Sequence, residues 1–184
     1  MGLDMYLYAK RHLVGSEYAD EKDKNKNEEV RKLFPEMFKT DNLDTIEVSF
    51  ECGYWRKANA IHKWFVENCQ DDEDDCRMVY VEREQLKELL NICKEVVAKT
   101  KLVNGKLIQS TSFENGEEKP NYIDGKVIAN KDQIEDLLPT ESGFFFGGTE
   151  YDEWYLETIQ DTIKIIEKCL ELPEDWSFEY HSSW

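Results

Sequence analysis

The stretch GYWRKANAIHKWFVENCQ, from Gly53 to Gln70, constrains the fold more than any other. At about 100° per residue it predicts one amphipathic helix. Ala58, Ile61, Phe65 and Cys69 form its apolar face, and Trp55, Asn59, His62 and Val66 continue that face at one edge. Arg56, Lys63 and Glu67 point the other way. An asparagine and a histidine therefore stand where the pattern expects hydrocarbon. A buried amide or imidazole without a partner costs about 1–3 kcal/mol, so such a helix tolerates them only where partners exist. Two readings stand side by side: a satisfied core network, or the floor of a ligand pocket. Trp55 brings an indole donor and a flat face that suit either one. Arg56 and Lys57 oppose the helix dipole at its start, a local conflict of the kind functional sites carry.

Charge narrows the partners. The chain has 184 residues, 40 acids against 23 bases, and a formal charge of −17. This argues against direct binding to nucleic acid or an anionic membrane and favours basic partners, cations or simple solubility. No apolar run approaches a membrane span, and the N-terminus alternates where a signal peptide would be uniformly apolar. The five cysteines, Cys52, Cys69, Cys76, Cys93 and Cys169, have no CxxC spacing and read as reduced thiols of a cytoplasmic protein. His12, His62 and His181 are far apart in sequence. No metal and no cofactor is expected.

Taken in order, the chain predicts a single domain over 1–184. Leu3, Met5, Leu7 and Ala9 alternate with Asp4, Tyr6 and Tyr8, which reads as a half-buried strand. Ser16 to Asn27 is charged and aperiodic and reads as a mobile loop, followed by a short helix broken at Pro35. Ile46, Val48 and Phe50 suggest a second strand. Met78 to Val81 suggests a third, and Glu84 to Lys99 is a clear amphipathic helix. LVNGKLIQ and YIDGKVIA carry Asn-Gly and Asp-Gly turn signals and read as two small hairpins. Asp132 to Leu138 reads as a short helix. In GFFFGGTE the three phenylalanines read as a buried strand. Thr149 then caps a helix running to about Leu172, with Asp152 in the capping-box position. WSFEYHSSW closes the chain as a strand.

Asp71, Asp72, Glu73, Asp74 and Asp75 form an acidic run. Its spacing to Glu82 echoes a calcium loop, but Cys76 stands where that loop needs glycine. The run reads as a solvated loop or as a docking patch for a basic surface. Glu150, Glu153, Glu157 and Asp161 line a second acidic stripe, opposite the apolar face of the last helix. Like charges at that spacing disfavour the helix slightly, so the stripe is not explained by helix stability alone.

The motifs YWRKANAIHKWF (Tyr54 to Phe65) and SGFFFGGTEYDEWY (Ser142 to Tyr155), with the opening MGLDMYLYAK, resemble a family of small uncharacterised proteins from phages and prophages. Some members have been labelled phosphoglycerate kinase, a two-domain enzyme for which this chain is too short and lacks a nucleotide loop. The resemblance implies accessory biology such as host takeover or counter-defence, inside the bacterial host, and supplies no catalytic residues.

The sequence thus predicts an α+β fold. A small antiparallel sheet, built from the terminal strands and a Phe144–Phe146 strand, is packed by three main helices. The expected function is non-enzymatic: an acidic inhibitor that occupies the basic, nucleic-acid-binding surface of a host protein through Asp71–Asp75, Glu153, Glu157 and Asp161. The alternative is a small-molecule or nucleotide-signal binder using Trp55, Arg56, Asn59 and His62, with Asp152 and Glu153 nearby. A third class would use His62 as a base oriented by Asp152 or Glu153. Oligomeric state is left open.

Overall fold

The computed structural model describes residues 2–39, 44–114 and 117–184. Its organising strand is β1 (Asp4–Val14), whose side chains alternate between buried and half-exposed. Leu3 just before it, then Met5, Leu7 and Ala9, face a common core, and Leu13 is buried further along the strand. An antiparallel strand commonly buries one face and leaves the other in water, and here both edges of β1 are also paired. On one side runs β2 (Thr45–Arg56), with Met5 opposite Trp55 and Leu7 opposite Gly53. On the other runs β6 (Ser177–Ser183), with Leu7 opposite Tyr180 and Ala9 opposite Phe178. The short β3 (Val79–Val81) pairs outside β6, giving a four-stranded antiparallel sheet of order β2-β1-β6-β3.

Three helices cover the core face of this sheet. They are α2 (Asn59–Cys69), α3 (Arg83–Lys99) and α5 (Glu153–Leu170). Their buried residues recur at helical spacing: Leu86, Leu89, Leu90, Cys93 and Val96 in α3, and Tyr155, Ile159, Thr162, Ile166 and Cys169 in α5. In α2, Phe65 stacks on Tyr180 of β6, with ring centroids 4.1 Å apart. The fold is α+β, as the periodicities require.

Four local readings are corrected. Gly53 to Arg56 belong to β2, and α2 starts only at Asn59. Between them Lys57 takes a left-handed conformation, φ 56°. Trp55 satisfies both the helical period and the strand alternation, so the pattern could not separate the two. The stretch 16–27 is not a loop throughout: α1 (Glu21–Leu33) begins within it. Asp20 caps this helix by accepting from the Asp23 amide at 2.8 Å. Its one buried residue, Asn27, donates to the carbonyls of Leu13 and Asp44. The helix ends before Pro35, as that residue demands.

The Asn-Gly and Asp-Gly pairs do not turn. They lie inside β4 (Leu102–Glu114) and β5 (Glu117–Ile128), which pair as one long antiparallel ribbon with Gly105 opposite Gly125. A β-carbon on Gly125 would fall 2.4 Å from Leu107, and one on Gly105 would fall 2.7 Å from Val127. The glycines are there for close cross-strand approach. The short α4 (Lys131–Glu135) follows. Last, Phe144–Phe146 is a turn, not a strand. The Phe146 amide donates to the Gly143 carbonyl at 3.1 Å, and Phe144 is 94% exposed.

Gly53 sits where α5 crosses the sheet. A β-carbon there would meet Ile165 Cγ2 at 2.6 Å and Leu7 Cβ at 3.3 Å. Ile165 is β-branched and stiff at χ1, so it cannot easily yield. Gly53→Ala is expected to lose about 1–3 kcal/mol by overpacking, read as a lower denaturant midpoint with an unchanged slope.

Candidate functional site

The residues singled out by the sequence divide among three places. The first is a cleft of about 330 Å³ where β2 turns into α2. Arg56, Lys57, Ala58 and Asn59 form one wall, and Gly147, Gly148, Glu150 and Asp152 lie on the other side. Asn59 is the clamp between them. Its amide nitrogen donates to the carbonyls of Phe146 (3.2 Å) and Gly148 (2.7 Å). Its oxygen accepts from the Glu141 amide at 3.3 Å. Gly147 has φ 89°, and a β-carbon there would lie 3.1 Å from Lys57 Cβ, so the loop reaches the α2 turn only as glycine. The start of α2 has no capping side chain and no acid in its first turn. The far wall is acidic and uses its carboxylate locally. Asp152 itself caps α5, accepting from the amides of Trp154 (2.9 Å) and Tyr155 (3.0 Å), so it is the N-cap and not the capping-box partner of Thr149. Burial raises the Asp152 carboxyl above its usual range, and the two amide donors oppose that shift.

The second place is a buried relay. His62 Nδ1 lies 2.7 Å from the Tyr180 hydroxyl, and His62 Nε2 lies 3.0 Å from Asp74. The other oxygen of Asp74 accepts from the Trp184 indole at 3.1 Å. The imidazole's carboxylate partner is therefore Asp74 of the acidic run, and not Asp152 or Glu153. Glu153 instead accepts from the Lys126 amide. Burial, then the charge of Asp74, pushes the Tyr180 phenol well above its ordinary value. His62 is 1% exposed and Tyr180 0%, and the pair ties the loop after α2 to β6, while Asp74 stays half-exposed at the edge of a shallow cleft. Trp55 is also a core residue, donating to Thr162 Oγ1 at 2.9 Å. Of the six residues nominated for a pocket, Arg56, Asn59 and Asp152 line the cleft, and Trp55, His62 and Glu153 do not.

The third place is the acidic surface. Asp71, Glu73 and Asp75 converge on Arg77 at 3.8, 3.1 and 3.6 Å. Asp72 makes no ion pair among the described residues. On α5, Asp161 pairs with Lys164 at 2.7 Å and raises that lysine's pKa, whereas Glu157 makes no ion pair among the described residues. Two groups were missed by sequence. Arg11 interrupts the apolar alternation of β1, buried against Asp23 and Asp175. Tyr6 and Tyr8 were assigned to the outer side of β1, but their neighbours come from the pairing register, which a single strand does not reveal.

Among the described residues, no group of three or more His, Cys, Asp or Glu side chains is placed to hold a metal ion. No described helix is long and apolar enough to cross a membrane. No protein-family model, curated protein or solved structure matches the chain.

Two expectations test this account. Asn59→Ala strands two carbonyls and one amide, so it should cost about 1–3 kcal/mol in chemical denaturation; an unchanged midpoint would contradict the clamp. The second concerns pH. Burial pushes the Cys93 thiol up to about 12, and burial followed by Glu82 and Glu88 pushes Cys69 up to about 12. Both thiols stay protonated in the fold while the unfolded chain ionises from about 9. Raised folded pKa values give stability that is complete below the unfolded pKa and lost as pH rises through the folded one. Denaturant midpoints should therefore fall as pH climbs from 9 toward 12, and Cys93→Ala should flatten part of that slope.

Proposed function

We propose that the protein acts by binding, with no chemistry of its own, and that its target is a basic protein surface. The observation that supports this reading is the placement of the excess charge. The formal charge is −17, yet Asp152 is the only carboxylate residue buried among the described residues. The acids are thus held outside, where they attract a basic partner and steer its approach. Both ring nitrogens of the relay histidine already have partners, Tyr180 and Asp74, which weighs against acid–base catalysis there. With the resemblance to phage proteins, the partner is a host defence protein whose nucleic-acid-binding surface is blocked by an acidic cover.

A second reading has its own observation. The cleft brings Arg56 and Asn59 together beside the uncapped start of α2. Its volume is at the small end of ligand sites, which span about 300–1,000 Å³. A small anionic ligand would suit that wall.

One experiment separates the two. The partner captured from bacterial lysate is purified and its association kinetics with this protein are followed at low and high salt. The association rate should drop by about tenfold or more across that range. A variant combining Glu153→Gln, Glu157→Gln and Asp161→Asn should associate more slowly than wild type at low salt. If neither salt nor those substitutions slows association, the acidic-cover reading fails. A nucleotide-induced melting shift abolished by Arg56→Ala would then favour the cleft.

A further inference from the structure

We infer that the uncovered face of the four-stranded sheet is a docking surface for an arginine-bearing segment of a basic partner protein. This deepens the binding reading above and rests on it. The argument begins with β1. Its core side carries Met5, Leu7 and Ala9, so Asp4, Tyr6, Tyr8 and Lys10 fall on the opposite face. The helices that touch the sheet all lie on the core side. Even α1 packs there, its Lys26, Glu29 and Val30 closing a groove with Arg11, Leu13 and Val48. The other face is left open.

Register then decides which side chains share that face. Tyr8 stands opposite Glu51 of β2 and Glu179 of β6, and Glu179 stands opposite Tyr80 of β3. One row thus reads Glu51, Tyr8, Glu179, Tyr80 across all four strands, acid alternating with phenol. The adjacent row is Tyr54, Tyr6, His181, with ring centroids 5.4 Å and 6.0 Å from Tyr6. Tyr80 is 60% exposed and Tyr54 44%. Aromatic clusters of this kind, left in water beside charged groups, mark interaction surfaces.

A guanidinium fits this pattern better than other groups. It stacks on an aromatic face and pairs with a carboxylate at the same time, and a lysine ammonium does only the second well. Neighbouring strands lie about 4.8 Å apart, so a group resting on Tyr8 has Glu51 and Glu179 on either side. The charged groups of the face come from three strands. Asp4, Lys10 and His12 come from β1, Glu47, Glu51 and Arg56 from β2, and Glu179 and His181 from β6. Lys10 lies 2.6 Å from Glu179 and 3.7 Å from Glu47, and Arg56 lies 3.9 Å from Asp4. His12 lies 3.4 Å from Glu47. Four carboxylates thus face two permanent cations, and Glu51 has no ion pair among the described residues. Single-stranded nucleic acid also stacks on aromatic sheet faces, but its phosphates would meet those carboxylates.

The test uses the full chain and three defined probes: octa-arginine, octa-lysine and a uridine oligonucleotide, measured by calorimetry. Octa-arginine should bind more tightly than octa-lysine, and the oligonucleotide should not compete. Tyr8→Ala and Glu51→Gln should each weaken octa-arginine by about tenfold while leaving the melting temperature close to wild type. Glu88→Gln, at an exposed acid on α3, should have no such effect. If the combined Glu153, Glu157 and Asp161 variant weakens octa-arginine and the sheet variants do not, the docking face is elsewhere and only this inference fails. If the oligonucleotide binds and Tyr8→Ala abolishes it, the face reads nucleic acid and this inference also fails. If neither peptide binds wild type at all, both this inference and the acidic-cover reading fail.

Discussion

The pairing of β1 on both edges is the constraint on which the rest of the structure depends. A strand in the middle of a sheet with one buried face fixes, residue by residue, which side chains its neighbours must bury. Met5 takes Trp55 and Ser182, Leu7 takes Gly53 and Tyr180, and Ala9 takes Phe178, while Phe50 opposite Ala9 on the edge strand stays exposed. The register slips once, between Leu7 and Tyr8, so that Gly53 and Glu51 flank an extra residue, Cys52. That bulge keeps Gly53 and Trp55 in step with the core side of β1. The same strand anchors the cleft. Leu3 donates to the Phe145 carbonyl at 3.0 Å and accepts from the Lys57 amide at 2.8 Å. The turn into α2 and the phenylalanine loop are thus held to one residue at the start of β1.

The polar residues of the interior follow from this scaffold. Three of them occupy apolar positions because a specific partner arrives from far away in the sequence. Asn59 closes the loop carrying Gly147 and Gly148, His62 bridges Tyr180 and Asp74, and Trp55 reaches Thr162. Buried polar groups with complete partners specify one arrangement of the elements, because any other leaves them unpaired. The polar pair on α2 acts in this way: of the two readings open at the sequence, the network describes His62 and Trp55, and the cleft keeps only the outer side of Asn59 together with Arg56.

The parts of the fold legible in the sequence are those governed by a single period. The alternation of Leu3, Met5, Leu7 and Ala9 identified β1, and the spacing of Leu86, Leu89, Cys93 and Val96 identified α3. The misread parts have other causes. Val30 and Leu33 are the apolar residues of α1, too few to show a helical period, and the helix is held by the Asp20 cap, the buried Asn27 and the Arg11–Asp23 pair. The turn preference of Asn-Gly and Asp-Gly was overruled by the packing of Leu107 and Val127 over two facing glycines. Three phenylalanines in a row looked like a strand, but Phe145 and Phe146 turn inward while Phe144 points to water. In the candidate site, Asn59 and His62 were identifiable as anomalies. Their partners were not, because contacts such as His62–Tyr180 form only when the chain has folded.

Interior satisfaction also bears on where recognition can occur. A polar group already paired in the core has little hydrogen-bonding capacity left for a ligand, so the Tyr180–His62 pair is spent on structure. What remains available lies on the two sides of Arg56. On one side is the cleft, whose near wall carries Arg56, Lys57 and the uncapped start of α2. On the other is the open sheet face, where Arg56 lies 3.9 Å from Asp4 and the tyrosine rows begin. The two surfaces have opposite electrostatic demands: the first suits an anion, the second a cation with a flat face. A single uniformly charged ligand would satisfy one and be repelled by the other. Arg56 is the element they share, and its side chain contributes a favourable charge to the cleft and an opposing one to the sheet face.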